Sequence, residues 1–251
     1  MIRIGNHTLP IDTVIFDKDG TLVDFESLWF TWLDDIHSYL TSSFSIEDPN
    51  FKDELYQALG IAGRDIDPMS PLAIGSLNDS KVIISFKLYI KGVPWDQAVE
   101  LVTKSIDYAN ERQSKSDAIR PVQGIERVLE EMKSIGMKLG VMTADETSQA
   151  KEHLRALKLA HFFDFIIGND QVENGKPYPD MAFLAADQYD AVLERSVMIG
   201  DTNGDMKLGK NAGMHASIGI LSYAKNHGAH LEDADYKITT YDDIQIIKKT
   251  K

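Results

Sequence analysis

The run Thr13-Val14-Ile15-Phe16 is apolar and β-branched, and it stops abruptly at Asp17, Lys18, Asp19, Gly20 and Thr21. On an extended chain, residues two apart point to the same side. Asp17 and Asp19 therefore place two carboxylates together, where each raises the proton affinity of the other. A chain that keeps both needs something positive to hold them. Three later segments supply further oxygen-bearing and basic groups after comparable apolar runs: Thr143, Ala144 and Asp145; then Asn174, Gly175, Lys176 and Pro177; then Gly200, Asp201, Thr202, Asn203, Gly204 and Asp205.

From these positions Asp17, Asp19, Asp201 and Asp205 offer four carboxylates, Thr143 a hydroxyl and Lys176 an ammonium. Mg²⁺ takes oxygen ligands and commonly binds through one or two carboxylates, waters and a substrate phosphate. Mg²⁺ is thus the expected cofactor, with Asp17 and Asp201 as its natural protein ligands. Even with the cation and Lys176, the set keeps a formal negative charge. Backbone amides after Asp17 and after Thr143, the second being that of Ala144, are expected to help hold a phosphate. An aspartate beside such a cation can attack phosphorus and form an aspartyl-phosphate. A carboxylate two residues on can protonate the leaving alkoxide and then deprotonate the water that frees the enzyme.

These groups need a scaffold that brings strand ends to one edge. Short apolar runs at 13–16, 139–142, 165–167, 197–199 and 216–218 alternate with helical patterns, which predicts a parallel sheet covered on both faces. In open sheets of this kind, ligands bind outside the carboxyl ends of the strands. Ile125, Val128, Leu129 and Met132 form one helical stripe. Ala150, Leu154, Leu157 and Leu159 form a second. Pro179 opens a third helix, with Ala182, Phe183 and Ala186 inward, and a fourth runs from Asn203 to Gly213. At the N-terminus, Gly5-Asn6-His7 reads as a turn between two short extended pieces.

Residues 25–119 have a different texture. Phe25, Leu28, Trp29, Trp32, Leu33, Ile36, Tyr39 and Leu40 make a long apolar stripe with spacings of three and four. Phe51, Leu55 and Leu59 make a second. Val82, Ile83, Phe86, Tyr89 and Ile90 make a third, and Trp95, Val99, Val102 and Ile106 a fourth. Four such helices predict an inserted bundle. Trp29, Trp32 and Trp95 are expected in its core.

Composition narrows the function classes. The chain has 251 residues, 43% of them hydrophobic, a net charge of −13 and no cysteine. The charge argues against nucleic acid or an anionic membrane as partner. Without cysteine there are no disulfides and no thiolate metal sites, and a cytoplasmic location is expected. The N-terminal MIRIGNHTLP lacks a signal-peptide core, and no apolar run approaches bilayer-spanning length. No protein partner is indicated. The seven histidines show no ligand spacing, although His227 and His230 are three apart. The acidic turn Glu232–Asp235 reads as a solvated surface.

The four segments, in this order, resemble the motifs of the haloacid dehalogenase-like hydrolase superfamily. Its strand ending in Asp-x-Asp-Gly-Thr matches Asp17 to Thr21, its strand ending in Ser or Thr matches Thr143, its lysine matches Lys176, and its Gly-Asp-x-x-x-Asp matches Gly200, Asp201 and Asp205. The resemblance covers residues 12–24 and 120–220, and is nearest to the phosphoglycolate phosphatase and β-phosphoglucomutase-like branch. It implies an α/β fold, with a Rossmann-like parallel sheet core at 1–24 and 120–251 and an all-α, four-helix cap at 25–119. It further implies Asp17 as nucleophile and Asp19 as general acid/base. Thr143, Ala144 and Lys176 would hold the phosphoryl group. Asp17, the backbone carbonyl of Asp19, and Asp201 would bind the metal, with Asp205 in or beside its shell. Phe25 and Arg64 are candidate specificity residues. A cap that opens and closes would make 25–119 the seat of substrate choice.

Asp19 discriminates among the chemistries of that superfamily. The dehalogenases have no Asp there, and the P-type pumps have Asp-Lys-Thr-Gly-Thr, with Thr in its place. The expected activity is hydrolysis of a small phosphorylated metabolite: phosphoglycolate, a sugar phosphate or a nucleotide. A phosphomutase would use the same residues and return the phosphoryl group to its substrate. A non-enzymatic regulator that binds a phosphorylated ligand is a third reading. Phosphonate hydrolysis would need an imine-forming lysine, and nothing singles out Lys81, Lys87 or Lys91.

Overall fold

The computed structural model describes the whole chain except residues 45, 47, 115–117, 224–227 and 249–251. His227 therefore lies outside the described residues. The chain divides into two compact units, one formed by Met1–Asp24 with Arg120–Lys251 and the other by Phe25–Ile119.

In the first unit, β1 (Ile2–Ile4) and β2 (His7–Leu9) form a hairpin, and Gly5 takes the left-handed conformation its turn requires (φ +54°). β3 (Thr13–Phe16) follows and is buried along its whole length. The other unit then interrupts this one in sequence, contributing α1 (Phe25–Ser43), α2 (Phe51–Ala58), β4 (Ile61–Ala62), β5 (Asp65–Ile66), α3 (Pro71–Ile74), α4 (Leu77–Ile90) and α5 (Trp95–Ser114). The first unit resumes with α6 (Ile125–Ser134), β6 (Lys138–Met142), α7 (Thr147–Ala156), β7 (Phe165–Ile167), α8 (Asp180–Tyr189), β8 (Ser196–Gly200), α9 (Asn203–Asn211), β9 (Ala216–Ile220), β10 (Tyr236–Ile238) and β11 (Ile244–Ile246).

Six strands form a parallel sheet in the order β10-β9-β8-β3-β6-β7, flanked by helices. β3 is central, with β8 on one side and β6 on the other, so Asp17, Thr143 and Asp201 all follow neighbouring strands. The fold is α/β, as expected. β10 and β11 were not foreseen; β11 pairs antiparallel with β1 and closes a small second sheet. The α6 stripe is buried as predicted. On α8 the inward residues are Met181, Ala182 and Ala185, whereas Phe183 is exposed.

Within the second unit, α5 packs against both α1 and α4. Trp32 in α1 donates its indole N–H to Asn110 Oδ1 in α5 at 2.8 Å. The predicted stripe of α2 is buried, and so is that of α1 except for Tyr39, which is half-buried. The unit is not purely helical: β4 and β5 form a small antiparallel hairpin, and α3 adds a fifth helix of one turn. The stripe predicted for α4 is corrected. Ile84 and Leu88, with Ser80 and Ser85, face inward, while Val82, Phe86, Tyr89 and Ile90 are exposed. This helix is apolar on several sides, so its periodicity could not choose a face. Trp95 is also a correction: it is 45% exposed, its ring edge set against Tyr89.

Candidate active site

β3 delivers Asp17 directly from the sheet: the Asp17 amide donates to Ile199 O at 2.8 Å, extending the ladder to β8. The chain then turns tightly. Lys18 O accepts from the amides of Leu22 (2.8 Å) and Val23 (2.9 Å), and the Gly20 amide donates to Val23 O at 2.8 Å. Gly20 is required twice over. Its φ is +71°, and a Cβ there would come within 2.5 Å of Asp201 Oδ2. The loop is also tethered from the C-terminal part of the chain, where Tyr241 OH donates to Thr21 O at 2.9 Å and Ser222 Oγ donates to Gly20 O.

Around Asp17 gathers an acidic cluster. Asp17, Asp201 and Asp205 are buried, and one carboxylate oxygen from each lies within 4.8 Å of the others. Lys176 is the ammonium in this group: its Nζ contacts Asp17 Oδ1 and lies 2.6 Å from Asp205 Oδ1. Asp205 also opens α9 through a capping box, its Oδ2 accepting from the Thr202 amide (3.1 Å) and hydroxyl (2.6 Å). Thr21 Oγ1 and Tyr223 OH donate to the two oxygens of Asp201, at 3.2 and 2.6 Å. His230 Nε2 sits 2.9 Å from the Asp201 carbonyl.

Electrostatics follow from that geometry. Burial pushes Asp17 up to about 6, with Lys176 pulling it back and Asp205 pushing it further up. Asp201 is held well above the ordinary carboxylate range by burial and then by its two acidic neighbours. Burial works against the Lys176 charge, but Asp17 and Asp205 more than offset this and raise its pKa. Among the described residues, three buried carboxylates thus face one ammonium. Asp205 Oδ1, fully buried, lies beside Lys176 without a well-aligned hydrogen bond. This all-oxygen donor set, short of positive charge, fits a hard divalent cation.

A second ionic cluster surrounds Asp19. Lys18 is 0% exposed, and its Nζ contacts Asp19 Oδ1, Asp145 Oδ2 at 2.9 Å and His153 Nδ1 at 3.2 Å. Burial pushes Asp19 up to about 7, even though Lys18 pulls it down. Lys18 itself is raised: burial opposes its charge, but Asp145 and Asp19 outweigh burial. Burial and the Lys18 charge push His153 down to about 3, so the ring is neutral and able to accept. The Asp19 side chain keeps 18% of its surface open, against 11% for Asp17 and 1% for Asp205. Asp19 is thus the most open of these three carboxyls.

Thr143 directly follows β6, its amide bonded to Ile167 O at 3.1 Å, and its hydroxyl accepts from the Asp145 amide at 3.2 Å. Ala144 is half-buried in the turn between them. Phe25 and Arg64 belong to the other unit. Phe25 is buried, its ring tilted against Trp29, and Arg64 is exposed on the β4–β5 turn, 3.7 Å from Glu26. Sequence reasoning assigns no role to Lys18, His153, Thr21 or Tyr223, and it discounts His230 for lack of ligand spacing. Extending the survey of strand ends to β9 would have reached Tyr223, three residues beyond it. The acidic turn is more than a solvated surface: Asp233 accepts from Asn203 and Lys210, and Asp235 accepts from the Ser217 amide.

Comparison with known proteins agrees with this architecture. The chain is 26% identical over 224 residues to a phosphorylated carbohydrates phosphatase of Thermotoga maritima, covering 89% of this chain and 91% of that protein. It is 24% identical over 242 residues to pyrophosphatase PpaX of Bacillus anthracis, covering 95% and 97%. Among solved structures, a predicted phosphoglycolate phosphatase from Haemophilus somnus superposes with a TM-score of 0.74 at 17% identity, covering 94% of this chain and 97% of that one. The family model for haloacid dehalogenase-like hydrolases matches residues 14–218, and the chain belongs to that family.

Proposed function

We propose that this protein is a Mg²⁺-dependent phosphatase of a small phosphorylated metabolite, acting through an aspartyl-phosphate on Asp17. The observation that carries the reading is the division of labour between two adjacent carboxyls. Asp17 lies inside the acidic cluster with Asp201 and Asp205, while Asp19 stands outside it, more open to solvent and with raised proton affinity. The names of the relatives, one acting on phosphorylated carbohydrates and the other a pyrophosphatase, support a small phosphorylated substrate. The absence of cysteine suits a cytoplasmic home.

Mg²⁺ held by Asp17, Asp201 and Asp205, with the Asp19 carbonyl, would offset the charge of the carboxylates and polarise a phosphoryl oxygen. The Thr143 hydroxyl, the Ala144 amide and the Lys176 ammonium hold the remaining phosphoryl oxygens. An Asp17 carboxylate oxygen bonds to phosphorus as the bond to the leaving oxygen breaks, and Asp19 gives that oxygen its proton. A water then gives a proton to Asp19 as its oxygen bonds to phosphorus. The bond from phosphorus to Asp17 breaks, and phosphate leaves. Proton transfer of this kind contributes about 10²–10⁴-fold.

The test is phosphate release from a panel of phosphorylated metabolites, with and without Mg²⁺, beside Asp17→Asn. Release that needs Mg²⁺ and is absent in the variant is the expected result. Sugar-phosphate isomerisation without net release would instead make the protein a mutase.

A further inference from the structure

The catalytic reading uses Lys176 and leaves Lys18 unexplained. Lys18 is fully buried, yet an ammonium is among the most expensive groups to remove from water, and apolar side chains in place of a whole buried ion pair are often neutral or stabilising. The backbone turn does not need it either, because Lys18 enters the turn through its carbonyl, which any residue supplies. Its Nζ contacts three polar atoms, on Asp19, Asp145 and His153, the one on Asp145 as an ion pair without a well-aligned hydrogen bond. Enclosed by these partners and with no exposed surface, it has nothing to offer a substrate phosphate.

What Lys18 does touch is informative. One partner is the proposed acid/base. Another, Asp145, has its amide on the Thr143 hydroxyl, and its carbonyl accepts from the Asn169 amide at 2.9 Å. The third is carried by α7. Lys18 therefore ties the carboxyl of Asp19 to the loop after β6, which is itself fastened to β7 through Thr143. We infer that Lys18, braced by Asp145 and His153, is a positioning residue that holds the Asp19 carboxyl at one fixed place relative to the phosphate-binding loop. The inference rests on the proposed role of Asp19 and deepens it.

Because Lys18 acts through Asp19, its loss should hurt most where proton donation matters most. The experiment compares phosphoryl-enzyme formation, by rapid quench under single-turnover conditions, from p-nitrophenyl phosphate and from the best alkyl phosphate of the panel. The p-nitrophenolate ion leaves without help, whereas an alkoxide needs the Asp19 proton. Lys18→Met should slow formation from the alkyl phosphate about ten- to a hundredfold more than formation from p-nitrophenyl phosphate. The double variant Lys18→Met/Asp145→Asn removes one charge of each sign. It should fold where the single variant is too unstable, and show the same discrimination. Equal slowing of both substrates in the folded variant, or no slowing, would overturn the inference and leave Lys18 a structural ion pair. Wild-type protein that forms no phosphoryl-enzyme from either ester would overturn the phosphatase reading itself, and the inference with it.

Discussion

Lys176 and Lys18 each meet one carboxyl of the segment 17–21, and each is clamped between two aspartates. Lys176 lies between Asp17 and Asp205, and Lys18 between Asp19 and Asp145. The resemblance ends there. Asp201 adds a third carboxylate to the Lys176 side, which leaves that side short of positive charge. The Lys18 side adds a neutral imidazole, so its charges are closer to balance. The Lys176 side chain keeps 10% of its surface exposed and that of Lys18 none. On the proposed mechanism, the first cluster takes in a cation and an anion from outside, whereas the second is complete in itself and fixes a carboxyl that works at its border.

If that contrast is right, the largest effect belongs to the carboxyl at the border. Asp19→Asn should slow both formation and breakdown of the phosphoryl-enzyme, each by about 10²–10⁴-fold. Single-turnover kinetics that left breakdown at the wild-type rate would detach Asp19 from the second step. Next in size is Lys176→Met, which removes the only lysine among the described residues that contacts Asp17 and Asp205. Loss of one stabiliser of transition-state charge costs about 10²–10³-fold. Here the loss should be the same for aryl and alkyl phosphates, because charge on the phosphoryl group develops with either leaving group. Discrimination between leaving groups in this variant would erase the distinction between the two lysines.

The two clusters were not equally legible in the sequence. Asp17, Thr143, Lys176 and Asp201 stand after apolar runs, and a parallel sheet brings such ends together whatever the details of packing. Lys18 alternates with two aspartates and reads like a solvated charge. Its burial depends on Asp145, at the far end of another strand, and on His153, 135 residues away on a helix. No local pattern announces that pairing. β10 and β11 escaped for another reason: Tyr236–Ile238 and Ile244–Ile246 each place a polar residue between two apolar ones, over only three residues. The exposed side of α4 escaped because apolar residues occur on more than one of its faces, and only the neighbouring helices decide which is buried.

A smaller effect probes the open cluster from behind. Tyr223 OH holds Asp201 Oδ2 at 2.6 Å, so it orients a carboxylate proposed to hold the cation. Partners of this kind are worth about 10–100-fold in metal affinity. Tyr223→Phe should raise the Mg²⁺ concentration needed for half-maximal activity by about tenfold, with saturated activity near wild type. An unchanged Mg²⁺ requirement would mean that Thr21 alone suffices to orient Asp201. The same variant should leave the preference between aryl and alkyl substrates untouched, since the Tyr223 hydroxyl bonds Asp201 and Asp201 belongs to the Lys176 side.

The smallest expected effect probes the closed cluster through pH. Burial, and then the Lys18 charge, push His153 down to about 3, with Asp145 pulling the other way. In the unfolded chain the imidazole titrates near its usual value of about 6.5. Between those values the unfolded state holds more protons, so this group makes stability fall as pH is lowered, by at most about 1.4 kcal/mol per pH unit. Above the upper value the ring is neutral in both states and contributes no slope. His153→Gln keeps an acceptor for Lys18 and removes the titration. Urea unfolding of this variant between about pH 4 and 6.5 should therefore show a shallower loss of stability than the wild type. Equal slopes would mean that the third partner of Lys18 is not a neutral ring, and the two lysine clusters would differ less than their geometry says.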